Sequence, residues 1–386
     1  MKVVIVIPTY NEKGNIERLI SSLEEDIFPK IKNHSMHILV ADDNSPDGTA
    51  KEVKKLMRKW GNIHLNTGGK RGLGAAYVRG MSYAIKNLSA DILFEIDADG
   101  QHDQRKIPQF LKKIEESYDM VIGTRYSGGG SIPPNWPLYR KAFSIIANQL
   151  IRIVFGRFNI HDWTGGFRAL KQEVFIAEKN KLTEFRGYTF QVSFLHKACV
   201  DGFRIAEVPF HFTDRTLGDS KIAPTEYIAN VLKYVLTARA IELVHSPFLK
   251  YAITGFVGYI INAVTLEVLY RKGLHPSLGG AIGAELSIIW NFTINNLWSF
   301  NRHKITSPLK LILKFPQFNL VAGGSLLIIS SVIGFGTHFF GVATRHLFLI
   351  LAIVFFVVPY SYSMYNIFIW KRWHVSFLSK FQKMVG

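Results

Sequence analysis

The chain is 386 residues long, enough for two domains, and sets 46 Lys and Arg against 29 Asp and Glu, a net charge of +17. A single cysteine, Cys199, excludes an intrachain disulfide and any multi-cysteine metal site. The basic balance fits nucleic acid, an anionic membrane surface or polyanionic substrates such as nucleotides and lipid phosphates.

The opening MKVVIVIPTYNE has too short an apolar run for a signal peptide and no cleavage-site pattern; it reads as a buried strand running into a turn. Up to about residue 220, apolar segments alternate with helical periodicity. Strands are expected over 3–8, 37–44, 62–66, 92–97, 119–126 and 203–210, with helices at 15–26 and 50–60 among them. Such alternation implies βαβ crossovers and an α/β fold whose mainly parallel sheet is covered on both faces. Ligands bind these sheets beyond the carboxyl ends of the strands. Acidic residues stand at three of those ends: Glu12 after the first, Asp42 and Asp43 after the second, Asp97 and Asp99 after the fourth.

Two stretches, 136–158 and 224–243, pair helical apolar spacing with cations: Arg140, Lys141, Arg152 and Arg157 in one, Lys233 and Arg239 in the other. Basic amphipathic helices beside spans lie in the membrane interface, although ordinary surface helices packed on the sheet have the same pattern. From about residue 249 the character changes. Four apolar segments, roughly 249–270, 277–300, 315–340 and 346–370, each reach the ~20 residues that a membrane-spanning helix needs. Arg302, His303, Lys304, Lys310 and Lys314 follow the second segment, and the basic KRWHVSFLSKFQK follows the fourth. The positive-inside rule puts both, with the N-terminal domain, on the cytoplasmic face of the cell membrane. The expected domains are 1–222, an interfacial helix and linker at 223–246, and a four-helix transmembrane domain at 247–386. NNLWSFNR (295–302) and YNIFIWKR (365–372) echo each other, as an internal duplication would. Glu285, costly at membrane depth, is either functional, paired with Asn291 or Asn295, or near the interface.

The chemistry centres on FEIDADGQHD (94–103). Two carboxylates spaced Asp-x-Asp at a strand end can share one hard divalent cation, Mg²⁺ or Mn²⁺, with substrate phosphates completing the shell. Alone, such a pair is more often a turn. Here it accompanies VIPTYNE (6–12), VADDNSPDGT (40–49), GTRYSGGG (123–130), NWPLYRK (135–141), DWTGGFRAL (162–170), GYTFQ (187–191) and DRTLGDSK (214–221). In this order and spacing the first ~225 residues resemble family 2 glycosyltransferases of the Rossmann-like GT-A fold, nearest to polyprenol- and dolichol-phosphate mannose synthases. The tail resembles the GtrA-type four-span module.

The resemblance implies roles position by position. Pro8, Tyr10 and Glu12 match the turn that holds the base and ribose. Ala41 and Asp43 match the nucleoside-binding end of the second strand. Asp97, Ala98, Asp99 and Gln101 match the metal and sugar-diphosphate segment, with Asp97, Asp99 and Gln101 as metal ligands. Arg125 and Arg140 match cations that meet the sugar or the acceptor phosphate. Arg215, Ser220 and Lys221 match a loop closing over the diphosphate. Gly100 departs from the family's usual Leu, and the glycine-rich GGKRGLGAA (68–76) fits no nucleotide-binding loop signature, reading as a close backbone approach or a mobile loop near the donor.

The implied reaction is inverting transfer of mannose from GDP-mannose to polyprenyl or dolichyl phosphate. A UDP-glucose or other UDP-hexose transferase to the same acceptor is the alternative, and a lipid-linked-sugar translocator with a sugar-nucleotide-binding domain is a reading of another class. The cations flank apolar spans, which favours a bilayer over nucleic acid as partner.

Overall fold

A computed structural model describes residues 1–182, 188–214 and 224–373. The chain forms two compact units, Met1–Arg239 and Ala240–Gly386.

The first unit is built on seven strands: β1 (Lys2–Thr9), β2 (Ser35–Asp42), β3 (Ile63–Thr67), β4 (Ile92–Glu95), β5 (Met120–Thr124), β6 (Arg168–Lys171) and β7 (Ile205–Pro209), in the order β3-β2-β1-β4-β6-β5-β7. All neighbours run parallel except β6, which lies antiparallel between β4 and β5. The mainly parallel sheet expected from the alternation is present. β6 escaped the sequence reading because it is four residues long, follows Gly165–Gly166 and shows no alternating pattern.

Helices α1 (Lys13–Ser22), α2 (Thr49–Lys59) and α4 (Ile107–Glu115) pack with one face of the sheet; α3 (Leu73–Leu88), α6 (Gln172–Leu182) and α7 (Tyr188–Val200) cover the other. The two cores meet opposite pleats of the same strands: Val3, Ile5 and Ile7 point into one, Val4 and Val6 into the other. Both faces are therefore dry, which explains the continuous apolar run VVIVI in β1. Gly80 lets α3 approach the sheet, since a Cβ there would lie 2.6 Å from Cγ1 of Val6. Helix α5 (Leu138–Phe155) buries only Asn148, Ile151 and Phe155 and leaves an apolar face outward, including Leu138 (83% exposed) and Ile153 (63%). Helix α8 (Pro224–His245) spans the division between the units.

In the second unit, α9 (Pro247–Arg271) and α10 (Pro276–Ile294) form a first hairpin. Helix α11 (Pro308–Phe340) and a final helical run, α12 (Val342–Ile369), form a second. Three of these, α9, α11 and α12, are long and apolar enough to cross a membrane. The expected second span is not among them: its α-helix is 19 residues long and diluted by Glu285, Asn291, serine and glycine. Each hairpin closes on a π-helical turn, Asn295–Ser299 and Tyr365–Ile369, followed by Phe300 and Trp370 stacked 4.3 Å apart. Glu285 is exposed on α10. No hydrogen bond links it to Asn291 or Asn295 among the described residues, where Asn291 Oδ1 and both amide atoms of Asn295 have no partner.

Candidate active site

The site lies at the carboxyl ends of β1, β2 and β4. Two loops there are stitched together. After β1, the backbone N–H groups of Asn11, Glu12 and Lys13 donate to Ser45 Oγ, Thr49 Oγ1 and Asp47 Oδ2, at 3.0, 3.1 and 3.1 Å. Asp42, wholly buried, accepts from Thr9 Oγ1 (2.9 Å), Ser45 N (2.9 Å) and Ser45 Oγ (2.6 Å). Its carboxylate is thus consumed in shaping the turn. Asp43 is buried too, but its carboxylate meets a cation. It stands at the strand end paired to Arg79 Nη1 at 2.9 Å, while Arg79 also donates to Asn66 Oδ1 and Asp42 O.

Pro8 is buried at the end of β1, and Tyr10 beside it lies under Lys70 Nζ, 3.6 Å from the ring centroid. The glycine-rich 68–76 stretch thereby closes over the first turn. Glu12 accepts from Asn15 Nδ2 at 2.8 Å. Ala41 was expected to line the nucleoside site, but its side chain is fully enclosed in the core facing Gly80, so only its backbone can contribute.

The Asp97–Asp103 segment is fixed from three sides. Tyr77 on α3 donates to Asp97 Oδ1 at 3.0 Å; burial first, then the neighbouring Asp97, holds its phenol protonated far above the ordinary range. The N–H of Asp97 donates to Nδ1 of His102 at 3.3 Å. His102 is buried and stacked on Phe167 with centroids 5.1 Å apart; burial pushes its pKa down to about 4, so it is the neutral acceptor that this bond requires. Asp99 Oδ1 accepts from Gln101 N at 3.1 Å, and Gln101 Nε2 donates to Thr213 O at 3.2 Å, tying the segment to the chain beyond β7. Gly100 between them has φ +76°, a conformation that suits glycine. Ala98 is buried. Asp103 caps the following turn and pairs with Arg105.

Arg125 leaves the end of β5 and forms a two-pronged bond with Asp162: Nε to Oδ2 at 2.7 Å and Nη2 to Oδ1 at 2.8 Å, with Thr164 Oγ1 2.8 Å from Nη2. Asp162 is 1% exposed; burial would raise its pKa, but the Arg125 charge and the N–H donors outweigh it and hold the carboxyl below the usual range. Gly165 and Gly166 run from this pair toward Asp97. A Cβ on Gly165 would lie 3.4 Å from Asp162 Oδ1, and one on Gly166 3.5 Å from Asp97 Oδ2 and 3.4 Å from Gln191 Nε2. Beneath, Glu95 is fully buried next to Arg168. Burial raises its pKa to about 7, against the pull of Arg168 and Gln191, although neither of its oxygens makes a well-formed hydrogen bond.

Arg140, in the first turn of α5, lies exposed over the Trp136 ring at 3.9 Å. Asp214 holds that segment by accepting from Asn135 Nδ2 at 2.6 Å and Trp136 Nε1 at 2.7 Å. Asp214, the first residue of DRTLGDSK, is therefore held against NWPLYRK. Arg215, Ser220 and Lys221 lie outside the described residues.

The structure thus gathers Asp43, Asp97, Asp99 and Gln101 at adjoining strand ends, with Arg125 next to them. Sequence reasoning missed Tyr77, Arg79, Asp162 and Asp214. The available signal for the first two was a pair of polar side chains in the otherwise apolar helical stretch LGAAYVRG; Asp162 and Asp214 stood in quoted motifs without a role.

Residues 4–177 match the family described as Glycosyl transferase family 2, and residues 250–370 match the GtrA/DPMS transmembrane domain. The dolichol-phosphate mannosyltransferase of Pyrococcus furiosus is 32% identical over 319 residues, 82% of this chain and 86% of that one. The polyprenol monophosphomannose synthase of Mycolicibacterium smegmatis is 35% identical over 224 residues, 58% of this chain and 81% of that one. Glucosyl-3-phosphoglycerate synthase from Mycobacterium tuberculosis, solved with Mn²⁺, UDP and phosphoglyceric acid, gives a TM-score of 0.45 at 17% identity over 62% of this chain and 78% of that chain. The chain therefore belongs to the family 2 glycosyltransferases, as a membrane enzyme that joins a mainly parallel α/β catalytic domain to a GtrA/DPMS transmembrane domain.

Proposed function

We propose that the enzyme transfers mannose from GDP-mannose to a polyprenyl or dolichyl phosphate, with inversion, giving a β-linked mannosyl-phosphoprenol and GDP. The observation that carries this reading is the Asp97–Gln101 segment, braced by Tyr77, His102 and Thr213 beside the Arg125–Asp162 pair. Mannose and a prenol phosphate are supported by the names of the two relatives.

Asp97, Asp99 and Gln101 would hold a Mg²⁺ or Mn²⁺ ion. The donor set fits: it is all oxygen, with the two carboxylates and no softer ligand, as a hard cation requires. No cluster of three His, Cys, Asp or Glu exists among the described residues, so Gln101, the diphosphate and water must complete the shell. When bound, the ion supplies positive charge to the departing diphosphate.

Asp43 and Glu12 take the nucleoside from two sides. The acceptor is a phosphate monoester, ionised near neutral pH and already nucleophilic, so no side chain removes a proton in the step. Its oxygen forms the new bond to C1 as the bond from C1 to the donor diphosphate breaks, and the electron pair leaves with GDP. Arg140, exposed on Trp136, meets the acceptor phosphate. Arg125, with two of its edges bound to Asp162 and Thr164, is fixed in orientation and cannot swing away. Lys221 and Arg215 are assigned to the leaving diphosphate.

The outward apolar face of α5, flanked by Arg140, Lys141 and Arg152, supports an interfacial position that brings lipid phosphate to this end of the sheet. Four spans, with α10 as the second, and the catalytic unit in the cytoplasm complete the reading.

The test incubates membranes containing the enzyme with radiolabelled GDP-mannose, UDP-glucose or UDP-GlcNAc and a short polyprenyl phosphate. Label from GDP-mannose alone should enter the lipid phase, and EDTA or Asp99→Ala should abolish it. Label from a UDP-sugar, or full activity in EDTA, refutes the assignment.

A further inference from the structure

An open cleft of about 280 Å³ lies within the Ala240–Gly386 unit where the first hairpin ends and the second begins. Its lining combines the apolar Phe292, Leu297, Ile305 and Leu311 with Lys304 and the polar Thr293, Asn296 and Thr306. The loop carrying Lys304 and Thr306 is pinned. Asn296 accepts from Ile305 N at 2.8 Å and from Trp370 Nε1 at 3.1 Å, and donates to Ile305 O at 3.0 Å. Leu311 belongs to the first turn of α11, and Ser307 at that helix start makes no side-chain cap bond.

Charge decides what such a cleft admits. No Asp or Glu occurs from Leu286 to Gly386, and the unit's three acids, Glu242, Glu267 and Glu285, do not line the cleft. Glu267 is paired with Arg271. A zwitterionic headgroup would bring an ammonium that finds no carboxylate here. A free anion would gain nothing from the four apolar residues. A phosphate on a hydrocarbon chain uses both.

We infer that this cleft holds the phosphate of a prenyl phosphate, its chain lying along Phe292, Leu297, Ile305 and Leu311. The inference rests on the reading that the acceptor is a lipid phosphate, and adds a holding site for it in the transmembrane unit. Lys304 pairs with the phosphate, and Thr293 and Thr306 donate to it.

The full chain is placed in phosphatidylcholine nanodiscs doped with short-chain polyprenyl phosphate, and retained lipid is counted by native mass spectrometry. Lys304→Gln should weaken retention about tenfold, the worth of one charge-assisted hydrogen bond. Thr306→Val should weaken it less, Lys304→Arg should preserve it, and millimolar inorganic phosphate should not displace the lipid. Transfer at saturating acceptor should stay unchanged in Lys304→Gln while the KM for prenyl phosphate rises. Equal retention by wild type and Lys304→Gln, exchange for phosphatidylcholine, or displacement by inorganic phosphate overturns the assignment. Should Lys304→Gln not fold, equal retention by wild type and Thr306→Val does the same. Intact retention without sugar transfer in the wild type would count against the proposed reaction and leave the cleft assignment standing.

Discussion

Arg125 and Asp162 are both nearly enclosed and bonded along two edges, so each depends on the other for its charge. Asp162→Asn keeps the shape but strands a guanidinium out of water. The expected cost is about 3–5 kcal/mol of stability, the usual penalty for halving a buried pair, with transfer falling about a hundredfold as Arg125 loses its orientation. Denaturant midpoints and initial rates on the same preparation would show both. His102 makes a pH prediction. Its folded pKa is about 4 against an ordinary 6.5, so above pH 6.5 it is neutral in both states. As pH falls through 6.5 toward 4 the unfolded chain takes the proton first, and the catalytic unit should lose up to ~3 kcal/mol. His102→Asn, which retains an acceptor near Nδ1, should flatten that slope in unfolding measured from pH 7 to 4. At this scale the clustering of Asp97, Asp99 and Gln101 at a strand end was readable because their spacing is local. Tyr77, Arg79 and Asp162 were not, since each acts through a partner 20 to 37 residues away.

Two glycines show how elements hold the site. A Cβ on Gly68 would meet the Arg79 guanidinium at 2.6–2.8 Å, the movable end of a side chain. Gly68→Ala should therefore cost under about 1 kcal/mol in stability, yet dislodge Arg79 from Asp43 and raise the donor KM several-fold. A Cβ on Gly130 would meet backbone instead, Thr124 O at 2.6 Å and Arg125 C at 2.9 Å. There the end of β5 must move, at about 1–3 kcal/mol, and kcat should fall because Arg125 shifts with it. Thermal melts with steady-state kinetics separate the two cases: an effect on KM alone for Gly130→Ala would contradict this account. The long apolar strands were readable from pattern, whereas β6 was not. A four-residue strand has almost no period to detect, and its antiparallel pairing with β4 and β5 exists only once both neighbours are placed.

For the whole molecule, the charge distribution predicts a topology that labelling can check. With Cys199→Ser as background, single cysteines at Lys304 and at Gly273 or Gly341 should react from opposite faces of the membrane, Lys304 on the same side as residues 1–222. Labelling of all three positions from one side would contradict four spans. The sequence by itself determined the two-part architecture, the parallel sheet, the acids at its strand ends and the apolar hairpins, because strand period, span length and motif spacing are properties of neighbouring residues. It did not determine what each acid is bonded to. Asp42 and Asp43 are adjacent and chemically alike, yet one is sealed into a turn by Thr9 and Ser45 while the other faces Arg79 at the strand end. That choice belongs to the tertiary structure, because burial and hydrogen-bond partners are supplied by segments distant in the chain.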